Sequence, residues 1–225
     1  MYEYLIGDFL LLSIWATFFI YRKDLRVPMV FVSLIFTIGG ILSPAFRASY
    51  WNPATVFNLS PGLEDFLYAF GLAGVAWSIN KVIFRNKLTK IKNYNIPIFI
   101  LIIPIIAFFA TGILALVNYF FKLYLIYIWI ALGIAIALVE MYLRKDLIKE
   151  MISGSILFTF VYSIVFLVFI NFLFPGIIQR IWSIQNLLGI SVFNLPIEEI
   201  LNGFAMSLMI NPVYEIFFGY RVKKI

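Results

Sequence analysis

Seven apolar stretches, each long enough to cross a bilayer, constrain this chain more than any other feature. A helix needs about 20 consecutive mostly apolar residues to span the hydrocarbon core. The sequence offers that length at about 4–21, 27–46, 62–84, 96–117, 123–143, 151–174 and 195–218. With 64% hydrophobic and 12% charged residues and a mean hydropathy of +1.02, too little polar surface remains to cover a soluble domain. The expected fold is an all-α polytopic membrane protein with seven transmembrane helices.

The formal charge of +6 raises the question of nucleic acid, but the basic residues lie in short loops between apolar runs, where they set orientation. Arg22, Lys23 and Arg26 follow the first span, and Lys81, Arg85, Lys87, Lys90 and Lys92 end or follow the third. Arg144, Lys145 and Lys149 follow the fifth; Arg221, Lys223 and Lys224 follow the seventh. These 14 stand against Arg47, Lys122 and Arg180 at the opposite ends. The positive-inside rule then places the N-terminus outside and the C-terminus in the cytoplasm of a multi-pass plasma-membrane protein. No nucleic-acid partner is expected. Met1-Tyr2-Glu3-Tyr4 lacks the basic region and cleavage site of a secretory signal, so the first span reads as retained.

The chain carries two internal echoes. Arg22-Lys23-Asp24-Leu25 recurs as Arg144-Lys145-Asp146-Leu147, and Val56-Phe57-Asn58-Leu59 with Gly62-Leu63-Glu64-Asp65 recurs as Val192-Phe193-Asn194-Leu195 with Pro196-Ile197-Glu198-Glu199. Both predict a single membrane domain with an internal repeat at about 1–92, a linker helix at about 96–117 and a second repeat at about 118–225. An offset of four spans makes the repeats parallel, related by an axis along the membrane normal. This 3+1+3 plan sets the third and seventh helices facing each other, with their carboxylate pairs at one depth.

Chemistry has few carriers. There is no cysteine and no histidine, which removes thiolates, His-ligated metal sites and imidazole catalysis. Neither a metal nor a cofactor is expected. Glu64, Asp65, Glu198 and Glu199 each open an apolar helix, where the macrodipole alone favours an acidic residue. Two adjacent pairs at matching places of a duplicated chain shift the reading towards function, because intramembrane carboxylates are costly. Helical spacing puts Tyr68 below the first pair and Asn202 below the second, and Asp8 lies at the same end. Closely placed carboxylates in an apolar site share a proton, which yields a Brønsted acid. Trp51, Trp182, Phe66, Phe70 and Phe204 supply apolar walls whose ring faces suit a hydrocarbon and a developing carbocation, beside the reading of Trp51 and Trp182 as interfacial anchors, which the enrichment of Trp at membrane interfaces favours. Glu140 and Glu215 read as local ion-pair partners, Glu140 with Arg144 and Glu215 with the basic tail.

The Pro196-Ile197-Glu198-Glu199 stretch, its duplicate Gly62-Leu63-Glu64-Asp65 and the two three-span halves resemble the integral-membrane lycopene cyclase domain of heterodimeric or fused carotenoid cyclases. The resemblance implies cyclisation of the ends of lycopene, an intramolecular lyase or isomerase reaction of carotenoid biosynthesis without net redox change. It assigns catalysis to Glu198 or Glu199, with Glu64 and Asp65 in the equivalent place. Substrate contacts then fall to Tyr68, Asn202, Trp51, Trp182, Phe70, Phe204 and Asp8. The expected partners are the lipid bilayer and an apolar polyene or polyprenoid. A second copy of the chain or other carotenoid-pathway membrane enzymes are further candidates. Two alternatives stand beside this reading: a proton-coupled transporter of small molecules with the 3+1+3 plan, and a non-catalytic membrane subunit.

Overall fold

The computed structural model describes residues 2–47, 49–92, 94, 112–113 and 124–223. Six helical spans long and apolar enough to cross a membrane lie among these residues. Apart from positions 112–113, the expected linker helix at about 96–117 lies outside them, as does Lys122.

Helix α1 runs Glu3–Tyr21, and α2 runs Arg26–Thr37. Residues 38–42 tighten into a 3-10 segment at Gly39-Gly40, and a short α3, Ser43–Arg47, completes the second span. Helix α4 is Leu63–Ile83, α5 is Leu125–Leu143 and α6 is Ile148–Val168, the last extended by a π-helical turn over Phe169–Leu173. A short α7, Ile177–Ile181, lies in the loop before α8, Ile197–Ile210. Pro212 has no backbone N–H to continue α8, and the chain resumes as α9, Val213–Phe218.

Helices α1 and α2 pack on α4, α5 and α6 pack on α8, and α4 joins the two groups through α6 and α8. The central helices α4 and α8 are accordingly the most buried, with Ala73, Val75, Ala76, Trp77 and Ile79 of α4 closed from solvent. Close approach depends on small residues. A Cβ on Gly74 would collide with Trp15 and Ser33, which bond to each other at 2.9 Å.

The ends of the bundle are chemically distinct. At one end Arg22 forks onto Asp24 at 2.9 and 2.7 Å and donates to the carbonyls of Lys81 and Asn86. Arg144 forks onto Asp146 at 2.8 Å through both bonds and donates to the carbonyls of Glu215 and Tyr220 at 3.0 and 2.6 Å. Each guanidinium therefore fastens the chain after one helix to the far end of another, satisfying carbonyls that a helix terminus leaves free. Two short strands, β1 at Lys87–Lys90 and β4 at Tyr220–Lys223, pair antiparallel there. The seven-span reading did not anticipate them, since four residues beyond a span carry no apolar signal.

Two sequence readings are corrected. Arg144 is occupied by Asp146, so Glu140 forms no ion pair with it, and Glu215 bonds inward to Lys81 of α4 instead of the basic tail.

Candidate functional site

The carboxylate end gathers most of the predicted residues. Strands β2, Ser191–Val192, and β3, Leu195–Pro196, form a tight hairpin whose turn residues Phe193 and Asn194 take positive φ, and it delivers the chain into α8. Pro196 stands at the N-cap, so Glu198 and Glu199 fall in the first turn. Glu64 and Asp65 occupy the first turn of α4. The two entry loops meet, because Trp51 and Trp182 form an isolated antiparallel bridge with their rings 5.5 Å apart.

Within each pair the two members face differently. Asp65 accepts hydrogen bonds from Tyr4 and Ser43 on Oδ1, at 3.0 and 2.5 Å, and from Arg47 and the Gly62 N–H on Oδ2, at 3.0 and 2.7 Å. A carboxylate offers about four acceptor sites, so Asp65 is saturated and paired with a cation. Glu199 is 4% exposed and accepts from Tyr50 at 2.5 Å and Trp182 at 2.8 Å on Oε1, and from Tyr162 at 3.0 Å on Oε2. By the same count one acceptor site remains. Burial and the Glu199 charge push the Tyr50 phenol well above its ordinary pKa, which keeps it a donor.

Glu64 and Glu198 turn to the loops. Glu64 Oε1 accepts the Val56 N–H at 2.6 Å, and Glu198 Oε1 accepts the Leu188 N–H and the Tyr127 hydroxyl, both at 2.7 Å. The other oxygen of each is buried without a partner.

A cavity of about 590 Å³ opens beside Asp65 and Glu199. Tyr68, Asn202, Tyr50 and Trp51 line this end, and Phe46 and Trp129 flank it. The cavity then follows α5 along Ile126, Trp129, Gly133, Ile136 and Glu140, a stripe at helical spacing, and α8 along Met206, Met209 and Ile210. By the rise of a helix, Ile126 to Glu140 is about 21 Å. It is a long apolar slot with its polar groups at the ends.

A second cavity of about 40 Å³ lies behind Tyr4, Trp51, Tyr68 and Phe166, which also wall the first. Asp8 faces it, 1% exposed, with neither oxygen hydrogen-bonded. Tyr162, Phe169 and Trp182 complete its aromatic lining.

The structure thus brings together Asp65, Glu199, Tyr68, Asn202, Trp51, Trp182 and Asp8 around adjoining cavities. It leaves out three predicted aromatics: Phe66 lines neither cavity, Phe70 packs at 5.1 Å from Trp15, and Phe204 joins a separate apolar cluster with Ala137 and Leu208. Glu64 and Glu198 lie one residue from the cavity wall and line neither space. Sequence reasoning missed Tyr50 and Tyr162. Tyr50 adjoins the flagged Trp51 and so carried a signal, whereas Tyr162 is one tyrosine in an apolar span. Among the described residues no group of three His, Cys, Asp or Glu is placed to hold a metal ion.

Fold and site together define a polytopic membrane protein with carboxylates facing an apolar cavity inside the bundle. Residues 122–217, which carry α5 to α8 with Tyr162, Trp182, Glu198 and Glu199, match the family model described as lycopene cyclase, and this match supports a lycopene cyclase domain family. No curated protein and no solved structure matches the chain.

Proposed function

We propose that the protein is a lycopene cyclase-like membrane enzyme that closes the end group of a linear polyene by carboxylate acid/base chemistry, with Glu199 as the proton-transferring group. The observation that carries this reading is Glu199 itself: a buried carboxyl, fixed by three donors, lining an apolar slot long enough for a linear chain. The family match over 122–217, which contains Glu199 and its partners Tyr162 and Trp182, supports the same class.

The reaction needs one proton in and one out. A carboxylic acid at the polar end protonates the terminal double bond of the polyene. The tertiary cation attacks the neighbouring double bond to close a six-membered ring, and a carboxylate removes a proton from the ring to leave a double bond there. Formula and oxidation state are unchanged. The rings of Trp51 and Tyr68 beside Glu199 suit the cationic stage, since ring faces attract positive charge. Asp65, neutralised by Arg47 and fully bonded, shapes the wall in this reading and leaves proton transfer to Glu199.

We also read the chain as seven spans in two parallel repeats, N-terminus outside. Helices α1 and α5 both have 19 residues, and Arg22 and Arg144 repeat one set of bonds. The interval from Lys81 to Glu215 equals that from Asn86 to Tyr220 and from Glu64 to Glu198. On this reading the two cavities are counterparts. Gly40 lines the larger, and at the corresponding place in the smaller stands Tyr162, which leaves one slot open to substrate.

The test is expression in lycopene-accumulating bacteria, followed by chromatography of the pigments. The wild type is expected to give cyclic carotene, Glu199→Gln to leave lycopene, and Glu64→Gln, outside the cavity wall, to keep most of the conversion. Unchanged lycopene with wild-type protein shown to be folded in the membrane would overturn the reading.

A further inference from the structure

The slot has a second polar end that cyclisation chemistry leaves unused. Glu140 lines it about 21 Å from Ile126 along α5, at the opposite end from Glu199. The side chain is 9% exposed, its Oε2 is buried with no hydrogen-bond partner, and it forms no ion pair among the described residues. Arg144, one turn further on, is committed to Asp146 and to the carbonyls of Glu215 and Tyr220. Lys81, the buried cation nearest in character, is taken by Glu150 and Glu215. A carboxyl inside a membrane bundle normally faces a partner or a functional cavity. Glu140 has the cavity without the partner.

Its neighbours in the slot are apolar: Ile136, Leu143, Met209, Val213 and Phe217. An ammonium brought there would give up its water for one counter-group, which is costly in an apolar site. A hydroxyl is cheaper to desolvate and fits either protonation state of the carboxyl, because it both donates and accepts.

We propose that Glu140 is a recognition site for a terminal hydroxyl on a linear polyene whose other end lies at Glu199. This rests on the slot being the polyene site. Glu140 would then favour a polyene oxygenated at one end about ten-fold over the hydrocarbon, with lycopene still accepted as the weaker substrate, and the class of reaction that supplies the favoured substrate is a hydration or hydroxylation of that terminus. A pure hydrocarbon would leave the Glu140 carboxyl buried and unpaired.

Binding tests this without requiring turnover. Trp51 and Trp129 line the slot, so a bound polyene quenches tryptophan emission. The probes are all-trans-retinol and the same polyene with the hydroxyl replaced by hydrogen, titrated into purified protein in nanodiscs. The wild type is expected to bind the hydroxyl probe about ten-fold more tightly, the scale of one hydrogen bond to a charged or strongly polar buried group. Glu140→Leu should bring the two affinities within a factor of about two, and Glu140→Gln should keep part of the preference. Melting of Glu140→Leu is expected at or above the wild-type temperature, which separates loss of recognition from loss of fold. Equal wild-type affinities, or a preference that survives in Glu140→Leu, overturn the Glu140 assignment alone. Binding of neither probe overturns it together with the reading of the slot as a polyene site.

Discussion

Tyr68 and Tyr162 meet hydroxyl to hydroxyl at 2.5 Å, across the contact between α4 and α6. Tyr162 already gives its proton to Glu199 at 3.0 Å, so Tyr68 is the donor between the two phenols. Tyr68 also walls the small cavity that Asp8 faces. A line of exchangeable protons thus runs from Glu199 through both tyrosines to the wall shared with Asp8.

That line gives the first prediction. Tyr162→Phe keeps the ring and removes the link, so turnover is expected to fall by about 10²-fold, the lower range for a lost acid–base group. Polyene affinity should stay within a factor of about two, because Tyr162 does not line the larger cavity. Rates and tryptophan quenching on the same purified protein check both halves.

Lys81 is wholly buried at the other end of α4, at 2.7 Å from Glu150 and 3.0 Å from Glu215, and 4.3 Å above the Trp77 ring. Lys81→Met is expected to lower stability by about 3–5 kcal/mol, because two carboxylates remain buried without their cation. The triple change Lys81→Met, Glu150→Gln, Glu215→Gln should recover more than half of the loss. Unfolding by SDS titration in bicelles measures both variants.

Arg144 supplies a prediction about geometry. Lysine keeps the charge but cannot fork onto Asp146 while holding two carbonyls. Arg144→Lys should therefore cost about 2–4 kcal/mol, the scale of leaving buried carbonyls unpaired. Arg22→Lys is expected to cost a similar amount, since Arg22 holds two carbonyls in the same way and Asp24 and Asp146 are about equally exposed, at 52% and 45%. A loss confined to one of the two variants in bicelle unfolding would count against this account.

The helices were legible because a span is written in composition alone, and four of the six described spans begin and end within about two residues of the expectation; the other two gain a charged turn, starting at Lys23 instead of about 27 and at Lys145 instead of about 151. The short repeats at Arg22 and Arg144 were legible too, since each codes a local fork between residues two apart. What the sequence withheld was helix phase. Adjacent residues on a helix point about 100° apart, and tertiary packing decided that Glu199 and not Glu198 meets the cavity. The same applies to Phe70 and Phe204, which hydrophobicity marked but packing placed elsewhere. Tyr50 lies 149 residues from Glu199, so no local pattern announces their bond. Lys81 was counted among loop charges, and only the fold turns it inward to Glu150 and Glu215.

The most direct measurement is conversion of lycopene by the purified protein in D₂O, with the product analysed by mass spectrometry and NMR. If a carboxyl in equilibrium with solvent protonates the terminal double bond, each ring formed carries one deuterium on the carbon that received the proton, and Glu199→Gln forms no ring. Rings without deuterium, or undiminished ring formation in Glu199→Gln, would contradict the account.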